Sequence, residues 1–379
     1  MSTVKATNFQ NASSATANMV TDASGNVSFG GTAAMSSSFL RNRIINGDMR
    51  VDQRNAGASV TNISGGVYTV DRWAAYASQA SKFTIQRNAG AVTPPSGFVN
   101  YLGVTSSSAY SVLSSDEFDV RQMIEGLNVS DLDWGTASAK TITFSFYVRS
   151  SLTGTFGGAL ANSAFNRSYP FTYTISVANT WEQKTVTIAG DTSGTWLTTN
   201  GIGIYVFFGL GVGSTYTGTA GAWTGSGLIS ATGATSVVGT SGATFYVTGV
   251  QFEVGTVATP FERQIYSNQL AQCQRYYEHS YSQDTAAGTS TDTGTVSTKS
   301  PQVDMQDTIQ FAVEKRAGPT ITFYTNLGVS GSWRSITAAT NRGMTVSTSS
   351  GTRQFTWANS NSVTVGDVLR GHWTAASEL

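Results

Sequence analysis

The chain has 379 residues, and its 22 basic side chains balance its 22 acidic ones. This balance argues against a nucleic-acid-binding function and against an anionic membrane as partner, since both need an excess of positive charge. Hydrophobic residues make up 40% of the chain and charged residues only 12%, so a packed core is expected. The length predicts two or three folded units, and the low charge favours burial in an assembly.

The start of the chain lacks the features of a targeting segment. Met1 to Gln10 contain no apolar core of a signal peptide, and no later stretch approaches the ~20 apolar residues of a membrane span. We therefore expect a protein that is made in a cytoplasm and is not inserted into a membrane.

Residues 1–42 are rich in Ser, Ala, Asn and Thr, with one hairpin-like phrase at Asp22–Gly31. Such a segment buries too little apolar surface to fold alone. It is either a floppy leader or an extended arm that becomes ordered on neighbouring subunits or on a larger particle.

Residues 43–260 show a β pattern throughout. Apolar residues alternate in several short segments separated by Gly-rich and Ser-rich turns, which predicts a β-sandwich. These segments are Phe83–Ile85, Tyr101–Val104, Thr141–Val148, Thr185–Ile188, Ile204–Phe208 and Phe245–Phe252. The stretch Gly209–Val238 is too long for an ordinary turn, so it is either a mobile loop or a surface loop with a function.

A strand gives way to a helix after Val254. Pro260 cannot continue a β-ladder, and its fixed φ suits the start of a helix. A linking helix is predicted over residues 261–279, because Tyr266, Leu270, Cys273 and Tyr277 have helical spacing and would form one apolar stripe. Cys273 is the only cysteine, so no intrachain disulfide can form, and its place on the stripe predicts a buried thiol.

The rest of the chain, residues 280–379, is predicted to be a smaller β domain that begins with a polar loop up to Ser300. Its expected strands are Ile309–Val313, Thr320–Tyr324, Gly343–Val346 and Arg353–Trp357.

Several short motifs resemble a module that is common in bacteriophage tail-fibre and other virion surface proteins. The similarity covers about Arg43 to Glu278, and its central part resembles a carbohydrate-binding-module-like jelly roll. The motifs are Arg43–Met49, Tyr68–Trp73, Thr141–Arg149, Thr180–Thr187, Val257–Arg263 and Cys273–Glu278.

The resemblance implies an all-β fold with an extended N-terminal arm (1–42), a jelly-roll β-sandwich (43–260), a short linking helix (261–279) and a smaller C-terminal β domain (280–379). It also implies a homotrimer, attached through residues 1–42 to other tail or baseplate proteins of the virion. We expect the Tyr266, Leu270, Cys273 and Tyr277 stripe to lie where subunits or domains meet. Its 4-3-4 spacing matches a coiled-coil seam, which is marginal at this length without surrounding β domains.

Few residues offer catalytic chemistry. His279 and His372 lie in different segments with no ligand-spaced partners, so neither a metal site nor a Ser-His-Asp site is expected, and no cofactor is predicted. The acidic phrases Asp116–Asp119 and Asp131–Trp134 are interpreted as solvated loop acids beside turns. Asp131 and Asp133 could instead share one face of a strand and act as a glycoside-hydrolysing pair, or they could ligate a hard cation such as calcium.

Sugar binding needs only exposed aromatic rings with polar neighbours. Trp134, Trp196, Tyr216 and Trp223 lie in loop-like segments. Trp223 and Tyr216 are the better candidates for glycan binding, because their surroundings offer little core, and Trp134 is a third candidate. Trp73 and Trp181 stand at strands and are predicted core residues.

Together with these observations, the resemblance implies a phage virion structural protein, a tail fibre or receptor-binding component that attaches to the host surface without catalysis, with a surface glycan as a candidate partner. One alternative is a capsid or tail decoration or adaptor protein that binds nothing on the host. A second alternative is a glycan-cleaving tailspike-like enzyme.

Overall fold

The computed structural model describes residues 41–348, 350–360 and 362–379, together with three short strands before residue 41. The chain divides into two compact units, Met1–Arg41 and Asn42–Leu379. Within the described residues no helix is long and apolar enough to cross a membrane.

The first unit contains a small antiparallel sheet in the order β1-β2-β3. Its strands are β1 (Asn8–Phe9), β2 (Met19–Thr21) and β3 (Val27–Ser28). Thr21, which directly precedes the predicted hairpin-like phrase Asp22–Gly31, pairs with Val27 inside that phrase. Apart from Arg41 and Asn42, the rest of the predicted arm lies outside the described residues.

The first part of the second unit is a β-sandwich of two antiparallel sheets. Its strands, in chain order, are β4 (Gly65–Tyr68), β5 (Ala74–Ala77), β6 (Phe83–Arg87), β7 (Leu102–Ser106), β8 (Glu117–Glu125), β9 (Ile142–Ser150), β10 (Gly154–Ala161), β11 (Ser168–Ile175), β12 (Glu182–Ile188), β13 (Ile202–Val212), β14 (Thr217–Gly218), β15 (Ser230–Ala231) and β16 (Thr244–Val254). A six-stranded sheet has the order β11-β10-β13-β8-β5-β4, and a five-stranded sheet has the order β12-β9-β16-β7-β6.

The core lies between these two sheets. The first half of strand β8 shows how the sequence builds it: Phe118 and Val120 are fully buried between the sheets, while Glu117, Asp119 and Arg121 lie on its other face. Phe144 of β9 meets Phe208 of β13 across the sandwich, with ring centroids 5.7 Å apart. All six segments predicted from apolar alternation lie largely within strands of this sandwich.

The stretch Gly209–Val238 is an ordered cover for one sheet. Its first residues complete β13, and the remainder folds over the outer face of the six-stranded sheet. There Ile229 packs on Phe207, and β14 pairs with β15. The stretch therefore has a packing partner, because the outward-facing Phe207 supplies apolar surface.

The predicted linking helix is shorter than expected. Helix α1 spans Tyr266–Gln274, so it begins six residues after Pro260. Side chains of the sandwich hold residues 258–262 in a non-helical form: Glu253 accepts the Thr259 backbone N–H at 2.9 Å, and Gln251 accepts that of Glu262 at 2.7 Å. The helix stops at Gln274, before a strand.

The last part of the unit is a sheet built around one long strand. The elements are β17 (Tyr277–His279), β18 (Val296–Lys299), β19 (Gln306–Gln310), β20 (Thr320–Thr325), β21 (Ser332–Ser335), β22 (Thr340–Val346), β23 (Gln354–Asn359) and β24 (Val368–Ala376). Strand β24 pairs with β17, β18, β20 and β21. A second core, with Trp333, Phe355 and Trp357 fully buried, packs beside it. The fold confirms the prediction of an all-β protein with a short helix.

Candidate functional site

A cavity of about 510 Å³ lies on the outer face of the six-stranded sheet, beside the cover formed by residues 213–231. We call it the sheet-face cleft. Its lining residues are Tyr76, Glu117, Arg121, Phe165, Thr215, Tyr216, Ser226, Gly227, Leu228 and Ile229.

Strand pairing places the charged and aromatic side chains of the floor together. Glu117, Asp119 and Arg121 are alternate residues of β8, so all three project from one face. Tyr76 of β5 pairs with Asp119, and Phe207 of β13 pairs with Arg121. The Arg121 guanidinium lies 4.6 Å from the Tyr76 ring centroid and 4.9 Å from that of Phe207, at cation–π distance.

Arg121 interacts with both carboxylates of this floor, Asp119 and Glu117. Arg121 Nε donates to Asp119 Oδ1 at 2.7 Å, and the same guanidinium forms an ion pair with Glu117. Burial raises the pKa of Glu117 to about 7, and the nearby Asp119 charge adds to the shift. Burial alone would lower the pKa of Arg121, but Asp119 and Glu117 hold it above its ordinary value. The floor therefore has an arginine that is always charged and a glutamate that titrates near neutral pH.

Aromatic rings form the rim and one wall of the cleft. Phe165, at the tip of the β10–β11 hairpin, is 36% exposed, and its ring centroid lies 4.7 Å from that of Tyr205. Tyr205 in turn stacks on Phe207 with an interplanar angle of 8°. Half-buried Tyr216 packs against the cluster of Phe207 and Ile229 from the covering loop. Of the three aromatics predicted to bind glycan, Tyr216 is thus the one that lines this cleft.

The other two predicted glycan-binding residues lie elsewhere. Trp134 and Trp223 pack with Trp196 in a cluster whose ring centroids are 4.8 to 5.4 Å apart. Trp134 is 7% exposed, and its indole N–H donates to the Lys140 carbonyl at 2.9 Å. The Trp223 indole N–H donates to the Ala189 carbonyl.

The prediction that Trp134 presents an exposed ring is therefore wrong, and Trp223 is half-buried against the other two rings. The three tryptophans pack together and extend the hydrophobic core of the sandwich. The sequence of any one loop does not predict this packing. Trp134 does border a small cavity of about 170 Å³, between the tryptophan cluster and Leu132.

The acidic phrase Asp116–Asp119 differs from its interpretation as solvated loop acids, whereas Asp131 and Asp133 are exposed at a short turn and agree with it. Asp116 is buried and accepts hydrogen bonds from the Ser78 and Tyr110 hydroxyls and the Leu113 backbone N–H. Glu117 and Asp119 belong to strand β8, as described above.

Asp131 and Asp133 do not share a strand face. Asp131 lies in a short 3-10 helix, Ser130–Leu132, and Asp133 follows it with φ +56°. They form separate, half-exposed ion pairs, Asp131 with Arg43 at 2.7 Å and Asp133 with Lys140 at 3.4 Å. In the part of the chain that the structure describes, no group of three or more His, Cys, Asp or Glu side chains could hold a metal ion.

The predicted interface stripe does not form a continuous helical seam. Tyr266, Leu270 and Cys273 are in α1, but Tyr277 is in β17 and pairs with Ala376. Cys273 and Tyr277 are buried inside their own chain, at 1% and 5% exposure, whereas Tyr266 is 42% exposed. A coiled-coil seam through all four residues is therefore wrong, because the backbone of Tyr277 is used in the second sheet.

Four charged or aromatic lining residues of the cleft were not among the predicted binding residues: Tyr76, Glu117, Arg121 and Phe165. A signal for two of them exists in the sequence. In Glu117-Phe118-Asp119-Val120-Arg121 the charged residues alternate with apolar ones, which predicts a strand with one charged face rather than a loop. No comparable signal marks Phe165, whose position depends on the length of the β10–β11 hairpin.

Comparison with known proteins gives structural similarities. No family model and no curated protein sequence matches the chain. The enzymatically active domain of tailspike protein 4 of bacteriophage CBA120 is similar over 57% of this chain and 22% of its own length, with 10% identity and a TM-score of 0.32. The chain thus spans about a fifth of that tailspike structure.

Two carbohydrate-binding modules are similar over nearly their whole length. A CBM4 structure matches 55% of this chain and 98% of its own, with 16% identity and a TM-score of 0.28. The family 11 carbohydrate-binding module from Clostridium thermocellum, solved with a β-1,3-1,4-mixed-linked tetrasaccharide, matches 52% and 97%, with 12% identity and a TM-score of 0.26. At these identities and TM-scores, the matches assign no function to any residue of this chain.

Proposed function

We propose that the sheet-face cleft binds a glycan of a host surface, without cleaving it. The observation that supports this most directly is the combination of half-buried and exposed rings, Tyr76, Tyr216 and Phe165, with the Glu117 carboxyl and the Arg121 guanidinium. A ring face can stack on the apolar face of a pyranose, while charged groups bind its hydroxyls. The volume of about 510 Å³ lies within the usual range of ligand cavities.

The absence of catalysis is part of the proposal. The two carboxylates of the floor, Glu117 and Asp119, both pair with Arg121, which fixes them as hydrogen-bond acceptors. A glycosidase needs one carboxyl to protonate the leaving oxygen and a second to act as nucleophile or base. Because Arg121 pairs with both carboxylates, the floor supports glycan binding better than the separate acid and nucleophile roles of a glycosidase.

We also propose that the glycan-binding unit is a tail-fibre or receptor-binding component on a phage virion, trimeric and attached through residues 1–42. Support for this part comes from the motif resemblance between Arg43 and Glu278. Antibody labelling of virions by electron microscopy tests it: label at appendage tips agrees with it, and label over the head or tail wall favours a decoration protein.

The binding test compares two cleft variants with a surface control. Tyr76→Ala and Tyr216→Ala should each weaken binding to a panel of envelope polysaccharides by about tenfold, the loss expected when one ring contact of ~1.4 kcal/mol disappears. Tyr266→Ala, which removes an exposed ring outside the cleft, should bind like the unaltered protein. Equal binding by all three variants would contradict a glycan site in the cleft.

A glycan-cleaving enzyme is the second candidate, favoured by the pKa of Glu117 near 7, which suits a general acid. The same polysaccharide panel distinguishes the two. Release of reducing ends that disappears in Glu117→Gln would establish hydrolysis, whereas binding without release supports the proposed function.

A further inference from the structure

A second cavity, of about 480 Å³, lies on the outer face of the five-stranded sheet, so it faces away from the sheet-face cleft. We call it the polar trough. Its lining residues include Phe98, Ser145, Tyr147, Gln183, Gly249 and Arg263. None of them lines the cleft, and nothing in the proposed function uses them.

The walls of the trough are aromatic and fixed in place. Phe98 lies between Tyr147 and Phe261, with ring centroids at 5.4 and 5.2 Å. Gly249 has φ +61°, and a Cβ there would lie 2.6 Å from Phe98 Cζ, so glycine allows the ring to sit directly on the sheet. The trough is thus built by close packing around a glycine.

The Arg263 guanidinium closes one end of the trough. It lies 4.8 Å from the centroid of Phe98 and 5.8 Å from that of Phe261. Gly97 makes room for it, because a Cβ there would be 2.8 Å from Arg263 Nη2. Such stacking orients the guanidinium while leaving its N–H groups available to an acceptor.

Arg263 is exposed and its charge is not neutralised by an ion pair. Among the residues that the structure describes, no carboxylate lies within salt-bridge distance of it. The acids nearest in sequence are engaged elsewhere: Glu262 accepts the Asn42 backbone N–H, and Glu253 accepts the Thr259 backbone N–H and hydroxyl. In this respect the trough is the reverse of the cleft, where two acids surround one arginine.

The floor supplies polar groups without partners. Ser145 is only 3% exposed and lines the trough, yet within the described ranges its hydroxyl has no hydrogen-bond partner. Because Ser145 lines the trough, its hydroxyl faces the space where a ligand or water would bind. Gln183, beside it on the exposed edge, uses its carbonyl oxygen to accept from the Tyr147 hydroxyl at 3.3 Å, and its amide N–H groups point to no described acceptor.

We propose that the polar trough binds an anionic sugar residue. The pyranose ring would stack against the Tyr147 and Phe98 wall, its carboxylate or phosphate would accept hydrogen bonds from Arg263, and Ser145 and Gln183 would bind its hydroxyls. The negative group is required by the proposal, because an unpaired arginine on an aromatic wall gives little preference among neutral sugars.

Calorimetric titration of the full chain tests this with a matched pair of probes. Trigalacturonate and its fully methyl-esterified form have the same rings and differ in charge, and galactose 6-phosphate tests phosphate as the anion. We expect an anion to bind, the ester to bind at least about tenfold more weakly, and Arg263→Gln to cause a loss of similar size. Which anion binds distinguishes a carboxylated from a phosphorylated sugar.

Two control variants test whether the anion binds in the trough and not at another arginine or in the cleft. Arg149→Gln removes another arginine of the same sheet face, which lies 5.6 Å from the Tyr246 ring and outside the trough, and should leave binding unchanged. Tyr216→Ala alters the cleft and should also leave it unchanged, so failure of the cleft proposal and failure of this one are distinguishable.

Binding of neither anion, or equal binding of acid and ester, would overturn the proposal. Should Arg263→Gln fail to fold, Gln183→Ala replaces it, because this exposed side chain contributes to the trough and little to the core. Undiminished binding of the preferred anion by that variant and by Ser145→Ala would overturn the assignment to the trough.

Discussion

The protonation of Glu117 makes the stability of the protein depend on pH. Its pKa is raised from 4.5 to about 7, by burial first and then by Asp119. Between these two values the folded protein holds a proton that the unfolded chain releases, so stability is lost as the pH rises through that window. We expect Glu117→Gln, which cannot lose a proton, to gain stability relative to the unaltered protein as the pH rises from about 5 to about 8. Urea unfolding at both pH values measures this, and a constant difference would contradict it.

Truncation of Trp134 should destabilise the protein more than truncation of Tyr216. Trp134→Ala empties a site packed by Trp196, Trp223 and Phe252, so we expect a loss of about 3 to 5 kcal/mol in the free energy of unfolding. Tyr216→Ala removes a half-buried ring from the covering loop and should cost roughly half as much or less, while weakening glycan binding. Denaturant unfolding of both variants checks the order, and equal losses would contradict the distinction between core and cleft.

The same pair shows what could be predicted residue by residue. Trp73, expected in the core, is fully buried, and Trp181 is half-buried with its indole N–H donated to the Thr93 carbonyl. Tyr216 does line a cavity, but Trp134 and Trp223 pack away from it, because three separate loops bring the tryptophan rings together. The spacing of residues in the sequence does not predict that side chains from three separate loops pack together.

Gly249 decides the shape of strand β16. The register of this strand shifts between Thr248 and Gln251, and Gly249 adopts φ +61° at that bulge. Gly249→Ala should destabilise by more than the ~1 kcal/mol that a left-handed conformation costs, because its Cβ would strike Phe98 and Tyr147.

Gly242→Ala is the matched control for this bulge. Gly242 has φ +73°, but a Cβ there has no atom within 4 Å, so the variant measures the conformational cost alone. Thermal unfolding of the two variants gives the difference, and equal midpoints would show that Phe98 can move without cost.

Elements were predicted better than their ends. Apolar alternation located β9, β12, β13 and β16, since a strand with one buried face has an unmistakable period of two. The helix was overestimated at both ends. The side chains of Glu253 and Gln251 accept backbone N–H groups before the helix and so delay its start. Pairing of Tyr277 with β24 ends the helix. Both are tertiary effects.

Glu378 joins the two cores of the larger unit. It pairs with Arg54 and with Arg72, whose guanidinium is almost fully buried and lies 3.6 Å from the Tyr276 ring. Glu378→Gln would leave the Arg72 charge buried without a counter-ion, and we expect a loss of about 3 kcal/mol or more in the free energy of unfolding. Urea unfolding followed by tryptophan fluorescence measures the loss.

The control for Glu378 is an exposed ion pair of the same sheet region. Glu314 pairs with Arg353 at the surface, so Glu314→Gln should leave the unfolding curve nearly unchanged. A small effect at Glu378 as well would mean that the two cores do not depend on this contact.

The predicted boundaries at residues 260 and 279 stay predictions, because residues 42–379 form one compact unit.

The sheet-face cleft and the polar trough lie on opposite faces of the sandwich, one on the six-stranded sheet and the other on the five-stranded sheet. A polysaccharide strand held on one side leaves the other side open to a second strand. One copy of the chain would then act as a cross-link, and a trimer as a node of a network. A solution of a polymer containing both neutral and acidic sugars should thicken when the protein is added, and Arg263→Gln should reduce that thickening even where binding by the cleft persists.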